Sequence, residues 1–297
     1  MRMKTIVALF SIFLLQCCRA QTAIKLLSNP DDNSLLWEIS GKHLSKPSYL
    51  FGTFHLMCKE DIHFSSNLTQ AIKNAGEVYF EMDMDDPSNT FGALLFMNMK
   101  NGKTLKDLYS IEDYRRLSIF FRDSLLAPID FIKKMKPAFL GAFIYPKLMP
   151  CKNMSGVEEE LMKIAKQNKK EIKGFETIQL QAAVFDSIPY EEQAKDLLKT
   201  IDSIDQYKKY FDTMLTVYRN QQLSQIEKMF NSTEFGMEEK RDVLLDDRNK
   251  NWVAQLKKIM KDKNVFIAVG AGHLVGDKGL IALLKKEGYK LRPLLNK

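Results

Sequence analysis

The sequence predicts a mixed α/β fold of α+β character, with a central mixed sheet formed by both chain ends and a large helical insertion between them. Three observations lead there. Two β-prone runs, a helix and a third apolar run open the chain after residue 34. A strand, helix, strand alternation closes it after residue 264. Between them apolar residues recur mostly at helical spacing. The chain is 45% hydrophobic over 297 residues, enough for a sizeable core, and has no Pro/Gly/Ser-rich linker, so a single domain over 21–297 is expected.

Residues 1–20 read as a secretory signal peptide. Arg2 and Lys4 precede an apolar run from Ile6 to Leu15, and Cys18 and Ala20 have the small-residue spacing of a cleavage site after Ala20. Lipid attachment at Cys17 or Cys18 is the alternative, although Gln16 or Cys17 ahead of the acceptor fits a lipobox poorly. No other run is long and apolar enough to span a bilayer, so an exported protein, periplasmic or secreted, without a transmembrane helix is expected.

Leu35 to Ile39 and Ser48 to Phe54 read as a hairpin, parted by Gly41 and Pro47. Asn67 to Asn74 reads as a helix, and Glu77 to Phe80 as a strand that delivers Glu81 and Asp83 to its end. From Asn89 to Leu148 helical spacing, as in Leu105, Leu108 and Tyr109, is punctuated by Pro128, Pro137 and Pro146. Val157 to Asn168 reads as an amphipathic helix, Glu171 to Phe175 as a short strand and Ile178 to Ser187 as a helix. Tyr190 to Phe230 and Met237 to Met260 read as long charged helices. Val265 to Val269 is a buried strand, Gly279 to Lys286 a helix and Tyr289 to Leu294 an alternating strand.

Charge excludes one class of partner. Loss of Arg2, Lys4 and Arg19 with the leader lowers the formal charge from +7 to about +4, and the basic residues are scattered, with no Arg-rich, aromatic-interleaved stretch that would track nucleic acid. Lys133-Lys134 and Lys169-Lys170 read as solvated helix faces. Cys58 and Cys151 remain after the leader, and an even pair in an oxidising compartment reads as a disulfide, against the rival of thiol chemistry or metal ligation.

Of four histidines, two follow apolar strands by the same Gly-x-x-His step: Gly52-Thr53-Phe54-His55 and Gly270-Ala271-Gly272-His273. In an open α/β sheet ligands gather beyond the carboxyl ends of strands, where both lie. Gly52 and Gly270 allow close approach to the backbone there. Two neutral imidazoles and a carboxylate make a first shell for zinc, manganese or a related divalent ion. Glu81 is the carboxylate chosen, on a strand expected to neighbour that of His55, and Asp83 is a second ligand or a partner that orients a histidine. The Gly270-Ala271-Gly272 run is expected to place His273 near a helix N-terminus, while His43 and His63 read as surface residues.

The sequence also resembles the TraB/GumN family, which includes the Tiki proteases and is distantly similar to erythromycin esterase and ChaN-like folds. The likeness is carried by Leu35-Leu36-Trp37-Glu38-Ile39, Tyr49-Leu50-Phe51-Gly52-Thr53-Phe54-His55, Tyr79-Phe80-Glu81, Gly174-Phe175-Glu176-Thr177 with Gln179 and Gln181, Arg248-Asn249 with Trp252, and Val269-Gly270-Ala271-Gly272-His273-Leu274. It implies a metal-dependent hydrolase of peptide or protein substrates, with manganese or cobalt as the ion and zinc as a further candidate. It implies His55, Glu81 and His273 as metal and catalytic residues, and Glu176, Arg248 and Asn249 in support. Arg248 is expected to stabilise an oxyanion or hold a substrate carboxylate, with an ion pair as the plainer account. The rival readings are a haem- or metal-binding protein of the same fold, a metal-free esterase, and an interaction protein that docks through Tyr190 to Met260.

Overall fold

A computed structural model describes residues 31–86, 96–232 and 237–297. The expected leader and part of the Asn89 to Leu148 run lie outside the described residues.

The opening hairpin forms as expected, β1 (Leu36–Ser40) antiparallel to β2 (Ser48–Thr53). The two-residue strand β3 (Met57–Cys58) follows, then α1 (Ser66–Asn74), whose N-cap Ser65 accepts a hydrogen bond from the Leu68 N–H, and β4 (Glu77–Met82). The insertion contains α2 (Ile111–Leu125), capped by Ser110, and α3 (Pro137–Leu148), with Pro137 in the first turn where it needs no donor. Next come β5 (Met154–Ser155), α4 (Val157–Gln167), β6 (Glu171–Glu176) and α5 (Ile178–Asp186).

The run from Tyr190 to Phe230 is three helices, α6 (Tyr190–Asp202), α7 (Ile204–Arg219) and α8 (Leu223–Phe230). It buries Leu197, Phe211, Leu215 and Tyr218 and so is part of the core. After α9 (Met237–Arg241) one π-helical turn, Asp242–Asp246, leads into α10 (Asp247–Asp262). The chain closes with β7 (Val265–Gly270), α11 (Leu280–Lys286) and β8 (Lys290–Pro293).

The six-stranded sheet has the order β6-β4-β7-β2-β1-β8. Its centre, β4, β7 and β2, is parallel, and β2 and β7 are buried almost throughout, as strands covered on both faces must be. Two expectations change. The strand of Glu81 neighbours β7 and not β2, because the returning C-terminal segment inserts β7 between them. The sheet also takes an edge from mid-chain, β6, paired in parallel with β4.

Two buried charges tie separate elements together, one among the helices and one in the sheet. The Lys136 ammonium, 1% exposed, donates to the Ala182 carbonyl at 3.0 Å and pairs with Asp186 at 2.8 Å, joining the start of α3 to α5. Glu77, at the start of β4, meets Lys173 of β6 at 3.2 Å and also Lys263. Burial opposes ionisation of Glu77, but hydrogen bonds and charge from Lys263 and Lys173 prevail and lower its pKa. A depressed folded pKa gives stability that is present above the unfolded value of about 4.3 and lost as pH falls through the folded value. Glu77→Gln is therefore expected to flatten the acid limb of stability below about pH 4, as read by urea unfolding at a series of pH values. An acid limb as steep as wild type would show that Glu77 contributes nothing to it.

Candidate functional site

The register of the three parallel strands brings their carboxyl ends level. Thr53 lies opposite Gly270 and Phe80 opposite Ala268, so His55, Glu81 and the turn carrying His273 emerge at one edge. Glu176 arrives there as well, opposite Met82.

His273 lies in one 3₁₀ turn, Ala271–His273, and not at a helix N-terminus; α11 starts only at Leu280. The turn packs its imidazole inward, 3% exposed and 4.4 Å from the Trp252 ring. Its Nδ1 is 2.7 Å from Asn249 Oδ1, and the Asn249 amide nitrogen donates to the Lys278 and His273 carbonyls. With the amide nitrogen so engaged, Oδ1 is the acceptor and His273 Nδ1 carries the proton. Nε2 is left as a lone pair, 3.6 Å from Glu81 Oε1. Burial, which disfavours the imidazolium, pushes the pKa of His273 down to about 3.

His55 is held differently. The Val157 N–H donates to the Phe54 carbonyl, β3 pairs with β5, and a Cys58–Cys151 disulfide closes the same region. This places Glu158, in the first turn of α4, against His55 Nδ1 at 2.8 Å, with the Thr53 hydroxyl donating to the same carboxylate oxygen. Gly156 allows the approach, since a Cβ there would lie 2.8 Å from the His55 carbonyl oxygen. The hydrogen bond to Glu158 raises the His55 pKa to about 9 against partial desolvation by the walls around it, while 75% of the side chain remains accessible.

Arg248 binds the carboxylates together. Its guanidinium donates from Nη2 to Glu81 Oε2 at 2.6 Å, from Nε and Nη2 to Glu176, and from Nη1 to the Leu244 carbonyl of the π-turn. It stacks 4.8 Å from the Trp252 ring, whose Nε1 donates to Glu176 at 2.9 Å. Arg248, Asn249 and Trp252 thus converge on the site from two turns of α10. Glu81 also accepts from the Gly270 N–H at 2.8 Å. Burial opposes its ionisation, yet charge from His273, Arg248 and His55 brings its pKa down to about 2. With His273 kept neutral, Arg248 is the buried charge that holds Glu81 ionised at neutral pH.

At the centre lies Gly270. A Cβ there would meet Glu81 Oε1 at 3.3 Å, His273 Cδ2 at 3.7 Å and His55 Nε2 at 3.9 Å, so the three expected ligands face one small space that a side chain would fill. Their chemistry fits a divalent ion: one neutral imidazole, one ionised carboxylate, and a second imidazole whose Nδ1–H a carboxylate holds while a metal takes the place of its Nε2 proton. Among the described residues the tightest ligand-type cluster is Cys58, Glu60 and Cys151, within 4.8 Å, but its sulfurs are joined in the disulfide. The His55, Glu81 and His273 donors stand wider than that, with Arg248 Nη1 3.3 Å from His273 Nε2, so closing on an ion requires Arg248 to yield this contact.

Of the other expected residues, Gly52 offers its carbonyl to the Tyr218 hydroxyl at 2.9 Å. Asp83 turns to Asp85 and Asp86, while the Nδ1 atoms of the two histidines meet Glu158 and Asn249, and burial with the Asp85 carboxylate raises the Asp83 pKa. His43 and His63 are exposed. Glu158 was not singled out by sequence reasoning, since an acid in a first helical turn is ordinary. The expected Cys58–Cys151 pairing was the available signal, because it brings residues 151–158 beside 55–58.

No solved structure matches this chain. Among curated proteins it is similar to "Metalloprotease TIKI2" of Danio rerio, 29% identical over 119 residues, which is 40% of this chain and 21% of that protein. "Metalloprotease TIKI2" of Xenopus tropicalis is 30% identical over 38% of this chain and 20% of its own. "Metalloprotease TIKI1" of Homo sapiens is 22% identical over 87% of this chain and 61% of its own. The chain therefore spans about a fifth of the length of the first two relatives. Residues 35–293, which include every residue of the site just described, match the TraB/PrgY/gumN family, and the chain belongs to that family.

Proposed function

We propose that residues 21–297 form one exported domain that hydrolyses peptide bonds with a divalent metal held by His55, His273 and Glu81. The observation that carries this reading is the convergence of the three side chains on the space before Gly270, with each imidazole anchored through Nδ1 by Glu158 or Asn249. Both anchors are the outer-shell partners that metal-binding histidines use. The relatives named metalloproteases support the reaction class. The disulfide and the lack of any membrane-crossing helix among the described residues are compatible with export.

A bound divalent ion supplies Lewis acidity and a water of lowered pKa. The protein's own groups do the rest. His55, the exposed member, borders the solvent-facing side from which a peptide enters. Arg248, freed from His273, offers donors to an oxyanion forming at the scissile carbonyl. Glu81, ionised and buried, either joins the ligands or takes the proton of the attacking water and passes it to the leaving amine. Glu81→Gln separates the two roles: metal lost with activity marks a ligand, metal kept without activity marks the base.

The test is elemental analysis of the purified protein beside His55→Ala, with peptide-library cleavage under manganese, cobalt and zinc. Bound metal in the wild type, its loss in the variant, and cleavage removed by chelator and restored by one ion are expected. A second reading has its own observation, since Arg248 already neutralises Glu81 and faces His273. In that case Glu81 and the histidines activate water without metal, and full cleavage after complete chelation would establish it. A haem absorption band on reconstitution without any cleavage would instead mark a binding protein.

A further inference from the structure

The α2–α3 connection carries apolar side chains that packing does not explain. Leu126 is 86% and Phe131 88% exposed, whereas Ile129 between them is buried. Leu126 also ends α2 in the left-handed region, φ 52°, a position where Gly or Asn is the favoured residue. The chain thus holds a large apolar side chain in solvent at a site where a small residue would serve the fold better. Pro128, between the two, is exposed as well.

A basic collar adjoins this tip. Lys133 and Lys134 follow Phe131 after one residue, Ile132, and among the described residues neither has an ion pair, unlike most lysines nearby. Their carbonyls accept from the Met99 and Leu105 N–H groups, which lays residues 99–105 alongside and brings Lys100, Lys103 and Lys106 to the same end of the insertion. Lys100 and Lys103 are answered by Asp186 and Glu191, and Lys106 lies over the Tyr114 ring. Asp130 is the acid within the tip itself, outnumbered by Lys133 and Lys134.

We propose that this connection docks the protein on an anionic lipid surface, with Leu126 and Phe131 entering the acyl boundary and Lys133 and Lys134 meeting the headgroups. Protruding apolar side chains ringed by lysine are what interfacial binding uses, each signal being weak alone and the pair additive. A protein partner would need a pocket shaped for two separate side chains; a bilayer accepts them without one. The site is peripheral, consistent with the lack of a membrane-crossing helix among the described residues.

Sedimentation with phosphatidylcholine vesicles, with and without phosphatidylserine, tests this. The wild-type chain is expected to bind the phosphatidylserine vesicles and to be released by salt. Leu126→Ser with Phe131→Ser should weaken that binding by about tenfold or more. Lys133→Gln and Lys134→Gln should each weaken it about fivefold, with little effect on any binding to phosphatidylcholine. Unchanged circular dichroism and melting of these surface variants verifies folding. Absence of vesicle binding, or binding undiminished in the Leu126/Phe131 variant, overturns the proposal. So does a solution dimer that the same variant dissolves without any vesicle binding, which would make the tip a contact between copies of this chain.

Discussion

Arg248→Met is expected to cost about 3–5 kcal/mol of folding stability, because it leaves two buried carboxylates without their shared cation. Glu81 and Glu176 are 13% and 10% exposed at the side chain, and both bond the guanidinium. The remaining donors are the Gly270 N–H for Glu81 and the Trp252 indole for Glu176, which is too little for two adjacent negative charges. Adding Glu81→Gln and Glu176→Gln to Arg248→Met should restore much of the loss, since the uncompensated charge and not the missing contact area dominates. Denaturant unfolding of the wild type, Arg248→Met and the triple variant measures this. A midpoint for Arg248→Met equal to that of wild type would mean that water screens the pair and that the site is open where it looks closed.

His273→Ala is expected to lower peptide hydrolysis by about 10²- to 10⁴-fold, the range for losing a group that acts at the reacting centre. The same variant should lose metal, because the Nε2 lone pair beside Glu81 is removed. Asn249→Ala makes the informative comparison. It keeps the imidazole but frees Nδ1 to take the other tautomer, so metal affinity should fall by about 10- to 100-fold while saturating metal recovers turnover. Turnover in His273→Ala close to wild type would remove His273 from the reaction altogether, whatever the metal content.

His273 belongs to the part of the site that local sequence reasoning reached first. The Gly-x-x-His pair was legible because an apolar strand followed by Gly is a local signal, and the ends of β2 and β7 carry it in the chain itself. The hairpin of Leu36–Ser40 with Ser48–Thr53 was legible for a similar reason, as two short β-prone runs parted by Gly41 and Pro47. Strand order was not. Nothing local in Glu77–Met82 says that its neighbour will be Val265–Gly270, nearly two hundred residues on, and not the strand just before it. The run from Tyr190 to Phe230 was legible as helical, but its division was not: its buried Leu197, Phe211, Leu215 and Tyr218 lie within a run of three helices whose breaks at Ser203 and Gln221 carry no Pro or Gly signal.

What the sequence pointed to by itself was therefore the class of fold, the two histidine turns and a strand that ends in Glu81, which depend on residue type and short-range spacing, and the disulfide, which depends on the number of cysteines left after the leader. The tertiary structure alone decided that the His273 strand lies between those of His55 and Glu81, that Glu158 and Asn249 anchor the two imidazoles, and that Arg248 bridges Glu81 and Glu176. The reason is physical. A hydrogen-bond partner for a buried polar atom is chosen by what the packed chain brings within about 3 Å, and residues far apart in sequence carry no mark of that meeting until the sheet has closed.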